Sequence, residues 1–141
     1  AGLLKTANAV RIKIYLGEFT WSSSSGTVTF RLKYGTTTIA SFVVQEHFVA
    51  TLDLLGYLEC VLTANASVTA QTGFMSLDVQ ENTTTLIAVG SASARMLRAC
   101  ASGTSTENSA NALDFKVTVQ QSQSGKILDF FPRGITCELI S

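Results

Sequence analysis

The side chains best suited to catalysis are few and widely spaced in this chain of 141 residues. His47 is the one histidine, so a Ser-His-Asp triad would have to use it, and the chain has no G-x-S-x-G nucleophile elbow. Gly125-Lys126-Ile127 lacks the Ser or Thr that ends a phosphate-binding loop. We therefore interpret His47 as a surface histidine at the polar end of an apolar strand.

The carboxylates are scattered singly along the polar faces of predicted strands. A glycosidase needs two facing carboxylates at a fixed separation, and no spacing in the sequence nominates such a pair. A metal site built on paired histidines is excluded within one subunit, because the chain has one histidine. The sequence predicts that the chain is not an enzyme and that it holds no metal or other cofactor.

Three cysteines, Cys60, Cys100 and Cys137, lie 40 and 37 residues apart. This spacing fits neither a zinc ribbon nor a redox CxxC pair. Cys60 and Cys137 fall in apolar strand patterns, where a free thiol behaves as a small hydrophobic side chain. We expect buried free thiols and no disulfide within a subunit. A bridge between Cys60 and Cys137 would require adjacent, facing strands.

Four basic side chains, Arg11, Lys13, Arg31 and Lys33, occupy the polar faces of the first two predicted strands. If these strands are neighbours, the four cations form one basic stripe. One interpretation is a solvated face that carboxylates of neighbouring strands balance. The other is a charge-complementary docking surface, which would set the orientation and choice of a partner.

Alternation with period two is the dominant pattern of the chain and is typical of strands with one buried face. It is clearest in residues 8–16, 27–34 and 113–121, where apolar and polar residues alternate. The apolar residues of shared parity in these segments are predicted to form the core: Val10, Ile12, Ile14, Phe30, Leu32, Val117 and Val119.

Turn signals divide the sequence into about eight strands, which predicts an all-β fold, an antiparallel β-sandwich or jelly roll. Residues 1–141 form one domain, in which residues 1–8 are an N-terminal arm. Residues 93–100 fit either a strand or a short helical turn, since Ala, Met, Leu and Arg favour a helix. Residues 102–111 are expected to form a long exposed loop.

Composition restricts the partners of the chain. Ten basic residues balance ten acidic ones, which argues against a nucleic-acid-binding domain and against electrostatic docking to a membrane. No apolar stretch reaches the roughly 20 residues of a membrane helix. Charged residues make up 14% of the chain and mean hydropathy is +0.30. We therefore expect apolar surface that partners cover, and closed symmetric oligomers are the usual way to cover it.

The order of several strand segments is distinctive. It runs from VRIKIYL (10–16) through VTFRLKYGTTTIASF (28–42), YLECVLT (57–63) and LDFKVTV (113–119) to ITCEL (135–139). This order resembles a domain common in the virion proteins of tailed bacteriophages, and the resemblance covers the chain from about Val10 to Leu139.

The resemblance implies a jelly roll, usually trimeric, at the surface of the virion. It favours a capsid decoration (cement) protein that stabilises the head shell as a homotrimer. The expected partners are the chain itself and the major capsid protein or other virion proteins. The alternative is a fibre or receptor-binding domain that recognises a host-surface glycan. In that case Trp21, beside a serine-rich loop, would contact the glycan.

Apolar residues make up 46% of the chain, more than one single-core sandwich needs when alternate strand positions face water. We expect the excess to form the trimer contacts outside the sandwich core. Phe130 and Phe131 are the sharpest case, because adjacent residues of a strand point to opposite faces. Alternatively, the chain leaves the strand near Pro132 and both rings lie under a loop. The candidate interface residues are Phe42, Leu55, Tyr57, Phe130 and Phe131.

Overall fold

The computed structural model describes residues 4, 8–21, 26–45, 52–81, 96–122 and 128–140. For residues 18–21, 45, 52–54, 81, 96–97 and 128–131 the description covers the backbone alone. All regular secondary structure in these ranges is β-strand. The strands are β1 (Ala9–Trp21), β2 (Thr27–Tyr34), β3 (Thr37–Gln45), β4 (Leu52–Ser67), β5 (Ala70–Glu81), β6 (Met96–Ser105), β7 (Phe115–Gln121) and β8 (Leu128–Ile140).

The eight described strands form two antiparallel sheets that pack face to face. Sheet A has the order β6-β5-β4-β1-β8, and sheet B has the order β3-β2-β7. The first strand pairs with the last and the second with the seventh, as in a nested jelly-roll order, and β1 also pairs with β4. The predicted all-β antiparallel sandwich of about eight strands is confirmed.

The core lies between the two sheets and follows the alternation of the sequence. Phe30 and Leu32 are fully buried, and the Phe30 ring packs on Phe42 with centroids 5.2 Å apart. Ile12, Ile14, Val117 and Val119 are half-buried and pack against this main cluster. Val10 packs against a second cluster, which contains Leu4, Tyr34, Ile39 and Leu62. The predicted core is confirmed. Phe42, expected outside the core, is instead part of it, because its parity in β3 points it at sheet A.

Two glycines let β3 approach sheet A closely. Gly73 on β5 and Gly103 on β6 are direct cross-strand partners. A Cβ at Gly103 would fall on the backbone carbonyl oxygen of Ile39, and one at Gly73 would collide with the Ile39 side chain. Because neither glycine has a side chain, the pair leaves the space that Ile39 occupies.

Residues 96–105 form a strand, so the helical alternative is wrong for residues 96–100. The loop begins after Ser105 rather than at residue 102. The loop between β6 and β7 was expected to be exposed, but hydrogen bonds hold it against the β2–β3 turn. The Glu107 carboxylate accepts hydrogen bonds from the Thr36 backbone nitrogen (3.1 Å), Thr36 Oγ1 (2.8 Å) and Thr37 Oγ1 (2.9 Å). These bonds lower the pKa of Glu107 and fasten the loop to the β2–β3 turn.

The same loop holds the N-terminal arm through Ser109, which is buried. The Ser109 hydroxyl donates to the Leu4 carbonyl oxygen at 3.0 Å, and the Ser109 amide donates to the Val68 carbonyl oxygen at 2.8 Å. Leu4 is itself buried in the second core cluster. Leu4 therefore contacts the body of the sandwich through both its side chain and its backbone carbonyl.

Candidate docking faces

The four basic residues singled out in the sequence do not form one stripe. Arg11 and Lys13 lie on β1 of sheet A, whereas Arg31 and Lys33 lie on β2 of sheet B. Consecutive strands of a sandwich often belong to different sheets, and their polar faces then point in opposite directions. The condition for a single stripe, that the two strands are neighbours, is therefore not met, and each pair has its own surroundings.

The pair on sheet A is balanced by its neighbours. Arg11 Nε lies 3.1 Å from a Glu59 carboxylate oxygen, and Arg11 Nη1 lies 3.4 Å from Glu138 Oε2. The Glu59 contact is an ion pair and not an aligned hydrogen bond, because Arg11 Nε has no hydrogen-bond partner. The Lys13 ammonium lies 3.8 Å from the centroid of the Tyr57 ring, which is cation–π distance. Arg11 and Lys13 therefore fit the interpretation of a solvated face whose positive charges are balanced by neighbouring carboxylates.

The pair on sheet B is joined by a third cation that the sequence analysis did not single out. Lys116 on β7 is the direct cross-strand partner of Lys33. Arg31 Nη1 donates to the Gln120 amide oxygen at 2.7 Å, a neutral acceptor. The Lys116 ammonium reaches the exposed Asp114 carboxylate at 3.5 Å. Within the described part of the chain, Lys33 has no ion pair.

The three strands of sheet B contain no aspartate or glutamate. The register between them places hydroxyl and amide side chains around the cations, with Val43, which is 55% exposed, as the large apolar residue. We call this outer surface the basic face. It consists of Thr29, Arg31, Lys33, Thr38, Ser41, Val43, Lys116, Thr118 and Gln120.

Charge is distributed unevenly between the sheets, although the chain as a whole is neutral. The strands of sheet B carry three basic residues and no acidic one, a charge of +3. The strands of sheet A carry four basic and seven acidic residues, a charge of −3. The chain has no net charge, but its two sheets therefore differ in charge by six units.

A second unusual surface is the inner side of β8. Ile135, Cys137 and Leu139 lie opposite Ile14, Ile12 and Val10 of β1 and so belong to the inner face of sheet A. Ile135 is nevertheless 64% exposed and Leu139 51% exposed. The reason is geometric, since three strands of sheet B cannot cover five strands of sheet A.

Beside β8 this uncovered area continues into a cleft of about 410 Å³, bounded by Val10, Ile12, Cys137 and, on the opposite side, Leu113 and Phe115. Leu113 and Phe115 belong to the start of β7 and the residues before it. The cleft is mainly apolar, so it extends the open inner face of β8 toward the second core cluster.

The remaining interface and glycan candidates have the following positions. Leu55 and Tyr57 are half-buried on β4, with Tyr57 on the outer face of sheet A. Phe130 and Phe131 lie within β8, which continues through Pro132 with shifts in its register to β1. The alternative in which the chain leaves the strand there is therefore wrong. The side chains of Phe130, Phe131 and Trp21 lie outside the described part of the structure.

The three cysteines are free, as expected. Cys60 and Cys137 are both cross-strand partners of Ile12, one on each side of β1, so a bridge between them is blocked by a whole strand. Cys60 is fully buried, and burial, with a smaller effect of Glu59, raises its pKa to about 12. Cys100 and Cys137 are exposed, so the expectation of buried thiols is correct for Cys60 alone.

Other features bear less directly on function. Among the residues described, no three His, Cys, Asp or Glu side chains are grouped closely enough to bind a metal ion. In the same ranges no helix has the length and apolarity needed to cross a membrane. His47 lies outside the described residues. The chain matches no protein-family model, no curated protein and no solved structure.

Proposed function

We propose that the chain is a structural protein of a tailed-bacteriophage particle, a decoration protein that binds the head shell through the basic face of sheet B. The order of strand segments in the sequence suggests this class of protein, and the β-sandwich is consistent with it. The observation that carries the proposal is the grouping of Arg31, Lys33 and Lys116 on one sheet whose strands contain no carboxylate.

The basic face is suited to an acidic protein surface. Lys33 and Lys116 face each other directly, and like charges in that arrangement destabilise a sheet. An acidic partner would remove this repulsion on binding. Hydroxyl and amide groups around the cations supply hydrogen bonds without adding charge. Such a surface mainly determines orientation and partner choice, as charged interfaces do.

The expected homotrimer remains part of this proposal. Its threefold contacts would use surface apart from the basic face, which stays free for the shell. Tyr57 and Leu55 remain candidates for that contact because both are half-exposed on β4. Phe130 and Phe131 remain candidates through their position in β8.

A binding experiment with head shells tests the proposal. Heads purified without the protein are mixed with wild-type chain and with the variant R31Q/K33Q/K116Q, and bound protein is measured by sedimentation at several salt concentrations. A matched variant, K13Q/R98Q/R133Q, removes three cations from sheet A. We expect loss of binding for the first variant alone, and weaker wild-type binding at high salt. Equal losses for both variants, or no binding by wild type, would contradict the proposal.

A fibre or receptor-binding domain is the second candidate, and one observation favours it. Tyr15, which is 41% exposed, lies directly opposite Tyr57 on the outer face of sheet A, beside the Lys13 ammonium. Neighbouring aromatic rings with polar groups around them are suited to stacking against a sugar. Cryo-electron microscopy of the particle discriminates the two candidates, because density at a fibre tip excludes a cement protein.

A further inference from the structure

The C-terminal half of β8, residues 134–140, is an open strand edge. Strand β8 is the last strand of sheet A, and in the described part of the chain no strand pairs with its outer side. Natural proteins protect such edges with lysine, proline, bulges or charges that point inward. Pro132 and the register shifts to β1 protect the first half of β8. The second half has one charge, Glu138, on the outer face in contact with Arg11.

The same half-strand is also open on its inner face. Ile135, Cys137 and Leu139 are exposed there. Ile140, on the outer face, is 37% exposed. The edge strand β3, which carries no charge, differs in this respect, because its inner side packs on β5 and β6. Residues 134–140 of β8 therefore combine unpaired backbone groups with uncovered apolar side chains.

The sequence of this segment is symmetric in its chemistry around Cys137. Ile135 and Leu139 lie two positions away on the inner face, and Thr136 and Glu138 lie one position away on the outer face. We infer that β8 pairs antiparallel with β8 of a second copy of the chain, about a twofold axis at Cys137. This pairing joins the two A sheets into one sheet of ten strands.

The register follows from the axis. Ile135 lies opposite Leu139 of the second copy, so the apolar residues of the inner faces meet. Cys137 lies opposite its own equivalent. Cα atoms of opposed residues in an antiparallel pair are about 4.5–5.5 Å apart, within the roughly 4.4–6.8 Å that a disulfide spans. A disulfide between the two Cys137 side chains would therefore detect this pairing of the strands.

Charge complementarity on the outer face supports a second copy as the partner. Thr136 lies opposite Glu138 of the second copy, so the two glutamates do not face each other. Lys13 is the cross-strand partner of Thr136, and Arg11 is that of Glu138. A row across the junction therefore reads Lys13, Thr136, then Glu138 and Arg11 of the second copy, so Glu138 lies between Arg11 and Thr136, with Lys13 one strand beyond.

This contact is distinct from the threefold association proposed above. A strand that pairs with its own equivalent generates a twofold axis, whereas a threefold ring joins two different surfaces. The inference does not depend on the protein's role in a virion, because it concerns purified chain alone.

Cross-linking with a matched register control tests the pairing. In a C100S variant, diamide accepts two electrons and two protons from two Cys137 thiols and leaves a disulfide-linked dimer of about 30 kDa, twice the chain mass of 15.0 kDa. With both C100S and C137S in place, a mixture of T136C and E138C chains should cross-link. T136C alone should not, because residues two apart diagonally are about 7–8 Å from each other.

Two charge variants provide a measurement independent of oxidation. Leu139→Lys places a charge on the inner face of the junction, and we expect it to weaken the dimer about tenfold or more in sedimentation equilibrium. Thr136→Lys adds the same charge opposite Glu138 of the second copy and should leave the dimer intact. Matching circular dichroism spectra show that both variants fold. A chain that stays monomeric at about 100 μM, or an oligomer that neither forms the register cross-link nor responds to L139K, overturns the inference.

Discussion

Lys33 and Lys116 are direct cross-strand partners on β2 and β7, and both side chains point outward from sheet B. Like charges in this arrangement are unfavourable. The strands themselves have no carboxylate, and the exposed Asp114 before β7 reaches Lys116 alone, at 3.5 Å. The sheet therefore has a local electrostatic strain that changing one charge should relieve.

Lys33→Glu is expected to stabilise the isolated chain by about 0.2–1 kcal/mol, because it turns a like-charge pair into an opposite-charge pair. The free energy of unfolding is measured by urea denaturation at about 20 mM and about 500 mM NaCl. The gain should shrink at high salt, since exposed charges are then screened. Thr29→Glu is the matched control, because its partner on β7 is the neutral Gln120. Equal effects of K33E and T29E would show that the pairing with Lys116 is not the cause.

Much of the fold was predictable from alternation. The parity of Phe30, Leu32, Val117 and Val119 identified inward-facing side chains before any pairing was known, because parity is a local property of a strand. Phe42 was misplaced by a different argument, the count of apolar residues, although its parity in β3 points it into the core. Counting surplus apolar residues shows that some must lie outside the core, but it does not show which ones.

The glycine pair beneath β3 leads to a steric prediction. Gly103→Ala should destabilise the chain by about 1–3 kcal/mol, since the new methyl group would fall on the Ile39 carbonyl oxygen and a backbone atom cannot rotate away. Gly134→Ala is the control, because the nearest atom to its Cβ is a Tyr15 ring carbon at 3.8 Å, which is ordinary contact. Urea midpoints compare the two variants with wild type. Similar midpoints for G103A and G134A would indicate that β3 does not rest on Gly103.

The hydrogen bonds that Glu107 accepts from the β2–β3 turn should make the stability of the chain sensitive to acid. Its pKa is lowered mainly by the hydrogen bonds from Thr36 and Thr37. In the folded chain Glu107 therefore binds a proton less readily than in the unfolded chain. The stabilisation is present above the ordinary pKa of a glutamate, about 4.3, and is lost as the pH falls below it.

Glu107→Gln should therefore lower stability at about pH 7 and have a smaller effect at about pH 3.5, which is below the ordinary pKa of a glutamate, because the unfolded wild-type chain is then largely protonated at this position. Thermal unfolding at the two pH values measures this difference. Asp114→Asn serves as the control, because that exposed carboxylate contacts Lys116 at 3.5 Å without a hydroxyl donor. A pH-independent effect of E107Q would show that the ionised carboxylate does not fasten the loop.

The docking faces were less predictable than the core, because they depend on which strands become neighbours. Arg31 and Lys33 were recognised from the polar face of β2. Lys116 lies on the polar face of its own strand, but nothing local assigns β7 to the same sheet as β2. Likewise, Ile135 and Leu139 have the parity of core residues. Their exposure follows from the unequal number of strands in the two sheets, which no single segment encodes.

Cys60 should make the chain sensitive to alkaline pH. Burial raises the pKa of its thiol to about 12, well above that of a cysteine in an unfolded chain, so the folded chain retains a proton that the unfolded chain loses. The contribution of the neutral thiol to stability is complete below about pH 9 and is lost as the pH rises toward the folded value. The stability advantage of wild type over Cys60→Ala should therefore narrow between about pH 7.5 and about pH 10.5, and Cys100→Ala, at an exposed thiol, is the matched variant. Urea unfolding across this range measures both differences.

A parallel assay with a thiol reagent on dilute native chain should label Cys100 and Cys137 and leave Cys60 unmodified until denaturant is added. Rapid labelling of all three thiols, or a constant difference for C60A, would contradict a sealed core around Cys60.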